Sequence, residues 1–230
     1  MSIATVALNA LKLYFGAKAA STALNAILGP EPSSIGYVAA LPAKGSMTKG
    51  GLKLSTFKVR NLDDRMRHII RLTQSGREDP RIRKATARVI NRKCGDKWCL
   101  PEKDWDGEVR AIFNYCRNNV RYTRDIEGKD LYQAANRTLE LKGGDCASYS
   151  ILLGSMLLSA GYPVKFRVIR TNEAKSWNHI FVLAGVPMKS TMAGASSELK
   201  WVSLDASVPK APGWHAPMSM IGAIKDYAVK

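Results

Sequence analysis

Cysteine is scarce in this chain: its 230 residues hold only four, Cys94, Cys99, Cys116 and Cys146. That is too few for a fold stapled by disulfides. Histidine is scarcer still, with His68, His179 and His215 the full set, so an acid–base site has few candidates. No zinc-finger spacing or other nucleic-acid motif occurs, and no second ligand pair accompanies "CGDKWC" (94–99); neither a metal nor a cofactor is expected. The apolar stretch at residues 1–28 has no Lys or Arg ahead of it, so it does not read as a signal peptide. Nor does it read as a membrane span. Lys12 and Lys18 would lie inside the bilayer, at about 2.5–3.5 kcal/mol each near its centre, and Asn9 and Asn25 add to that cost.

What is present describes a folded protein. A hydrophobic fraction of 46% with 8% aromatics is that of a globular chain, long enough for one good-sized domain with an appendage. The net charge of +16 favours anionic partners. It is concentrated: residues 53–97 carry 14 Lys/Arg against 5 Asp/Glu. That basic block reads either as a solvated helical face or as a contact for a polyanion such as DNA.

Along the chain, residues 1–28 predict an apolar helix that packs in an assembly or lies on a membrane surface. Residues 29–60, rich in Gly, Pro, Ser and Lys, predict a linker or extended arm. Residues 61–100 form a basic helical region. "NLDDRMRHIIRLTQSG" places Met66, Ile69 and Ile70 on one side, and "DPRIRKATARVINRK" opens with Asp79 as N-cap and Pro80 at the first helical position. Cys94 and Cys99 are expected as free thiols, with a local disulfide as the alternative. The main domain spans 101–210. Its helix "DGEVRAIFNYCRNNVRY" puts Cys116 on the apolar face with Val109, Ile112, Phe113 and Val120, as a small buried hydrophobe. A connecting segment follows, and then "CASYSILLGSMLLSAG", apolar nearly all round and therefore the buried core helix. The strands "PVKFRVIR", "NHIFVLAG" and "LKWVSLDAS" come next, and residues 211–230 read as a C-terminal tail. Helices first and strands after is the order of an α+β domain.

Within this plan Cys146 stands out, in "LKGGDCASYS" at the start of the core helix. A helix N-terminus favours thiolate, so its pKa is expected to fall toward the reactive range. Gly143 and Gly144 are expected to supply a sharp turn. A thiolate nucleophile needs a base and a group that orients the base. His179 begins one predicted strand and Asp205 ends the next; antiparallel pairing makes them neighbours at one sheet edge, beside the helix that carries Cys146.

The segment "LELKGGDCASYSILLGSMLLSAGYPVKFRVI", with "WNHIFVLAG" and "KWVSLDAS" after it, resembles the transglutaminase-like superfamily, a circularly permuted branch of the papain-like cysteine enzymes. The likeness covers roughly residues 104–210. It implies a Cys-bearing helix packed on an antiparallel sheet, here with a helical N-terminal extension. It also implies Cys146 as nucleophile, His179 as base and Asp205 as orienting carboxylate, with Gln133 or Trp177 as oxyanion donor beside the Cys146 N–H. The plan "YTRDIEGKDLYQAANRTLELKGGDC" followed by "WVSLDASVPKAPGWHAP" is similar to a short form found in tailed phages and prophages. Ala147 and Ser148 stand where that form has an acidic pair, which removes side chains that often support the site.

Two functions follow from this resemblance. One is a virion-associated structural protein that carries a transglutaminase-like cysteine-peptidase domain, is made in the host bacterial cytoplasm, and contacts other virion proteins through residues 1–100. The other is an active cysteine protease, amidase or crosslinking acyltransferase without a structural role.

Overall fold

The computed structural model describes residues 34–40, 53–124, 130–188 and 198–230. The helix expected over 1–28 lies outside them. Within the stretch expected as linker or arm, two antiparallel strands form: β1 (Ser34–Ala40) and β2 (Lys53–Val59), with Ser34 opposite Val59. β1 also runs parallel to β6 (Asp130–Gln133), pairing Tyr37 with Leu131. A Gly- and Ser-rich composition hides such a strand, because its pairing partner lies far along the chain.

Helices α1 (Leu62–Glu78) and α2 (Pro80–Ile90) follow. Asn61 caps α1 by accepting from the Asp64 N–H at 2.9 Å. Asp79 caps α2 by accepting from Arg81 N–H at 2.8 Å, and Pro80, which has no N–H to satisfy, opens the helix. Met66, Ile69, Thr73 and Gly76 form the buried stripe of α1. A Cβ on Gly76 would sit 2.3 Å from Ser155 Oγ, so glycine is what lets α1 lie so close to the core helix.

The short strands β3 (Lys93–Cys94) and β4 (Lys97–Trp98) form an exposed hairpin. Cys94 and Cys99 are disulfide-bonded and not the free thiols expected. The hairpin turn, with Gly95 at a φ of 67°, brings their Cα atoms to 5.0 Å, within bridging range. Local geometry decides the pairing here.

Helix α3 (Trp105–Asn119) buries Val109, Ile112, Phe113 and Cys116, the expected face. Burial pushes the Cys116 thiol up to about 12. β5 (Arg121–Tyr122) comes next. The segment expected to be a plain connection contains β6, helix α4 (Ala135–Leu141) and β7 (Gly143–Gly144). Helix α5 (Cys146–Ser159) is buried from Cys146 to Leu157 and packs on an antiparallel sheet of β8 (Val164–Thr171), β9 (His179–Pro187), β10 (Leu199–Leu204) and β11 (Ile221–Val229), in the order β10-β9-β8-β11. The expected α+β architecture, with the Cys-bearing helix on the sheet and helices ahead of it, is the one that forms. Residues 211–230, expected as a tail, hold β11. It pairs with β8 from Val229 opposite Val164 to Ile221 opposite Thr171. β11 is an edge strand with exposed Lys225 and Asp226, a pattern easily read as coil. Among the described residues no helix is long and apolar enough to cross a membrane.

Candidate active site

The site begins with how the chain enters α5. Lys142 closes α4 in the left-handed region at a φ of 53°, so the sharp turn falls there and not at the two glycines expected to make it. Gly143 and Gly144 are extended and pair in parallel with Arg121 and Tyr122. Gly144 is required for space: a Cβ would lie 2.6 Å from the Ser148 Cβ. Asp145 is the N-cap, accepting from Ser148 N–H at 2.9 Å, and Cys146 is the first helical residue.

Sheet register brings the partners in. β10 runs antiparallel to β9 with Leu204 opposite Val182, so the residue after β10 falls beside the start of β9. There His179 Nε2 meets Asp205 Oδ2 at 2.6 Å. The second carboxylate oxygen accepts from Ser207 Oγ at 2.7 Å and from Ser207 N–H at 3.2 Å. Asn178 locks the turn that delivers His179. Its side-chain oxygen accepts from Thr171 N–H at 3.0 Å, its amide donates to Thr171 Oγ1 at 3.1 Å, and its backbone N–H donates to Ile169 at 3.1 Å. On the helix side, Ser150 Oγ donates to the Ile180 carbonyl at 3.2 Å and ties α5 to β9. Cys146, His179 and Ile180 thereby come to line the same cleft. Since Nε2 faces Asp205, Nδ1 is the ring nitrogen left for the thiol.

Electrostatics at this pair differ from the expectation for a bare helix N-terminus. Burial pushes the Cys146 thiol up; His179 and the Ile180 N–H pull it down, the Asp145 charge pushes it up, and the net direction is upward. The helix end does not lower it below its ordinary value, because Cys146 is only 7% exposed and desolvation disfavours the thiolate. For His179, burial opposes the charged ring, but the Asp205 charge and hydrogen bond, with Cys146, outweigh it and hold the imidazole well above its ordinary 6.5.

A small cleft of about 50 Å³ opens on Cys146 and His179, with Tyr132, Trp177, Leu62 and Met66 in its walls. Of the two candidate oxyanion donors, Trp177 lines the cleft; Gln133 is buried beside Tyr132 but does not line it. His68 and His215 lie away from it. Ser207 and Asn178 were missed by sequence reasoning. The available signals were a hydroxyl two residues after an Asp, which suits a local side-chain-to-backbone turn, and an amide directly ahead of the histidine. Nothing local pointed to Leu62 and Met66, which reach the site only through tertiary packing. Among the described residues no group of His, Cys, Asp and Glu is placed to hold a metal ion.

Residues 96–206 match the model of the transglutaminase-like superfamily, and over those residues the chain carries a domain of that superfamily. No curated protein matches the sequence. Two solved structures are similar in part. One is described as a "putative cysteine protease" from Cytophaga hutchinsonii, at 14% identity and a TM-score of 0.40, covering 73% of this chain and 52% of that one. The other is described as a "putative protease" from Parabacteroides distasonis, at 16% identity and a TM-score of 0.40, covering 76% of this chain and 41% of that one. The chain thus spans about half the length of the first and about two fifths of the second.

Proposed function

We propose that the transglutaminase-like domain of this chain is a cysteine-dependent acyl-transfer enzyme, a peptidase or amidase, with Cys146, His179 and Asp205 as its triad. The observation that carries this reading is the position of His179. It is bonded through Nε2 to Asp205 at 2.6 Å and lines one cleft with Cys146, the first residue of a buried helix. In the reaction, the pair first loses one proton to solvent; Cys146 Sγ then attacks the carbonyl carbon of an amide while the proton the pair keeps is carried on His179 Nδ1. The tetrahedral oxyanion is met by the Cys146 backbone N–H, with Trp177 as the second donor. Collapse breaks the C–N bond, the leaving amine takes the proton from His179, and a thioester remains on Cys146. Water or a second amine then attacks the thioester, gives its proton to His179, and returns the thiol with release of an acid or a new amide. Asp205 holds the ring in register and stabilises the imidazolium.

The test is direct. The purified protein is incubated with a mixed peptide pool, and mass spectrometry scores new termini and new amide links. Products formed by wild type and absent with Cys146→Ala support the reading; no product from either would sink it.

A virion role is the second reading, favoured by the phage-like motif plan and by the outward face of the basic block. Arg67, Arg71, Arg83, Lys84 and Arg88 are all exposed on α1 and α2, where they suit a polyanion or an acidic partner. On this reading the chain is particle-associated, and its contacts with other virion proteins fall in residues 1–100. Mass spectrometry of purified particles decides it: the chain must be found in them at a fixed ratio to known structural proteins.

A further inference from the structure

Helix α1 precedes the residues matched by the superfamily model, yet its first turns form one wall of the cleft through Leu62, Arg65, Met66 and Ile69. Met66 and Ile69 are 1% exposed and line the cleft together with Cys146 and Val168. The helix is fixed at both ends. Near its C-terminus the Thr73 carbonyl bonds Ser155 Oγ at 3.1 Å, and Gly76 packs on the same serine. At its N-terminus Asp63 accepts from Lys225 Nζ at 2.7 Å and from the Tyr227 hydroxyl at 2.5 Å. A wall held this way does not swing aside freely. The space it leaves is small, about 50 Å³. Pockets that take whole ligands run to roughly 300–1,000 Å³.

We infer that α1 is the specificity wall of the cleft, and that Met66 and Leu62 restrict the acyl group reaching Cys146 to an unbranched one, of the kind presented by an amide that follows glycine. The chemistry of the lining supports this. The wall is largely apolar, so it discriminates by volume. In an apolar pocket a single methylene more or less is worth roughly 10–200-fold. The inference rests on the acyl-transfer reading for its substrate, but the wall itself can be measured without turnover.

The measurement uses thiol probes that share one reactive group. N-methylmaleimide and N-phenylmaleimide are reacted with the folded protein, the rates at Cys146 are read by peptide mapping, and each is normalised to glutathione. Cys116 is fully buried and Cys94 and Cys99 are joined, so Cys146 is the thiol that reports. Wild type should favour the methyl probe by at least about tenfold, and Met66→Ala and Leu62→Ala should each reduce that preference by about tenfold. Arg71→Ala, on the exposed face of α1, should leave it unchanged. If Met66→Ala melts early, Leu62→Ala at its partly buried position carries the test. No preference in wild type, or an unaltered preference in folded Leu62→Ala, overturns the proposal. In parallel, peptides with Gly, Val or Phe before the target amide are assayed for turnover. Turnover of the Gly peptide alone in wild type, extended to Val by the wall variants, supports it; equal turnover of all three overturns it. Probe selectivity with no turnover of any peptide supports the wall and removes only the enzymatic reading.

Discussion

His179 and Asp205 meet at 2.6 Å across two antiparallel strands, one residue opening its strand and the other standing just past the end of its own. Their contact is a property of sheet register. Leu204 opposite Val182 leaves the next residue of the chain within reach of the imidazole, and Ser207 holds the carboxylate from the other side.

The first prediction removes the charge from that contact. Asp205→Asn keeps the size of the side chain but leaves burial of His179 without its main opponent. The imidazole pKa should therefore drop from above 6.5 to near or below it, as read by NMR titration of the ring. Activity should fall by about 10⁴, as for the equivalent change in the serine-enzyme template, with the circular dichroism spectrum unchanged. An unshifted imidazole pKa in the folded variant would take Asp205 out of the site.

Ser207 should act through Asp205. A hydrogen bond to a charged group is worth about 1.5–3 kcal/mol, so Ser207→Ala frees the carboxylate to rotate off His179 and should lower kcat by roughly tenfold to a hundredfold. KM should hardly change, because Ser207 is not among the residues lining the cleft. Ser207→Thr, which keeps the hydroxyl, should restore kcat. A purely structural role would not distinguish Thr from Ala in this way.

Much of this site was legible because its parts are marked locally. Asp145 and Cys146 sit at a helix start, and the apolar run after them can only be a core helix. His179 and Asp205 lie at ends of alternating strands, and the motifs around all three resemble one superfamily. What was not legible depends on contacts between distant residues. The β1 strand needs β6 to pair with. β11 follows a Pro-rich stretch and carries Lys225 and Asp226 on an edge. The position of α1 over the cleft depends on Gly76 meeting Ser155. The direction of the Cys146 shift was misjudged for a similar reason: the helix end is visible in sequence, whereas the burial that outweighs it is not.

Stability should fall on the alkaline side through the same pair. His179 is raised above 6.5 in the fold, so its protonation stabilises the folded state fully below 6.5, and that contribution is lost as pH rises through the folded value. Cys146 is raised above 9, so the unfolded chain ionises first and the fold loses further ground above that pH. Both signs agree. The Tm of wild type should decline from neutral pH upward more steeply than that of Cys146→Ala/His179→Asn, measured by thermal melts across the range. Parallel declines in the two proteins would mean that the pair is not linked to folding.

The two glycines ahead of Cys146 should respond differently to the same substitution. At Gly143 an added Cβ meets its nearest atom, Thr123 Cγ2, at 3.4 Å, an ordinary contact; at Gly144 it meets Ser148 Cβ at 2.6 Å and Ser148 Oγ at 3.4 Å. Neither residue has a positive φ, so backbone strain does not enter and the difference is steric. Gly143→Ala should leave Tm and thiol reactivity close to wild type. Gly144→Ala must push Ser148 away, and Ser148 N–H is the group that Asp145 caps. The clash should therefore cost about 1–3 kcal/mol, as overpacking does, and shift the first turn of α5 along with Cys146. The expected result is a lower Tm and a slowed reaction of Cys146 with iodoacetamide in Gly144→Ala alone. Equal behaviour of the two variants would show that the first turn of α5 yields freely, and that the tight contact between Gly144 and Ser148 does not hold the cysteine in place.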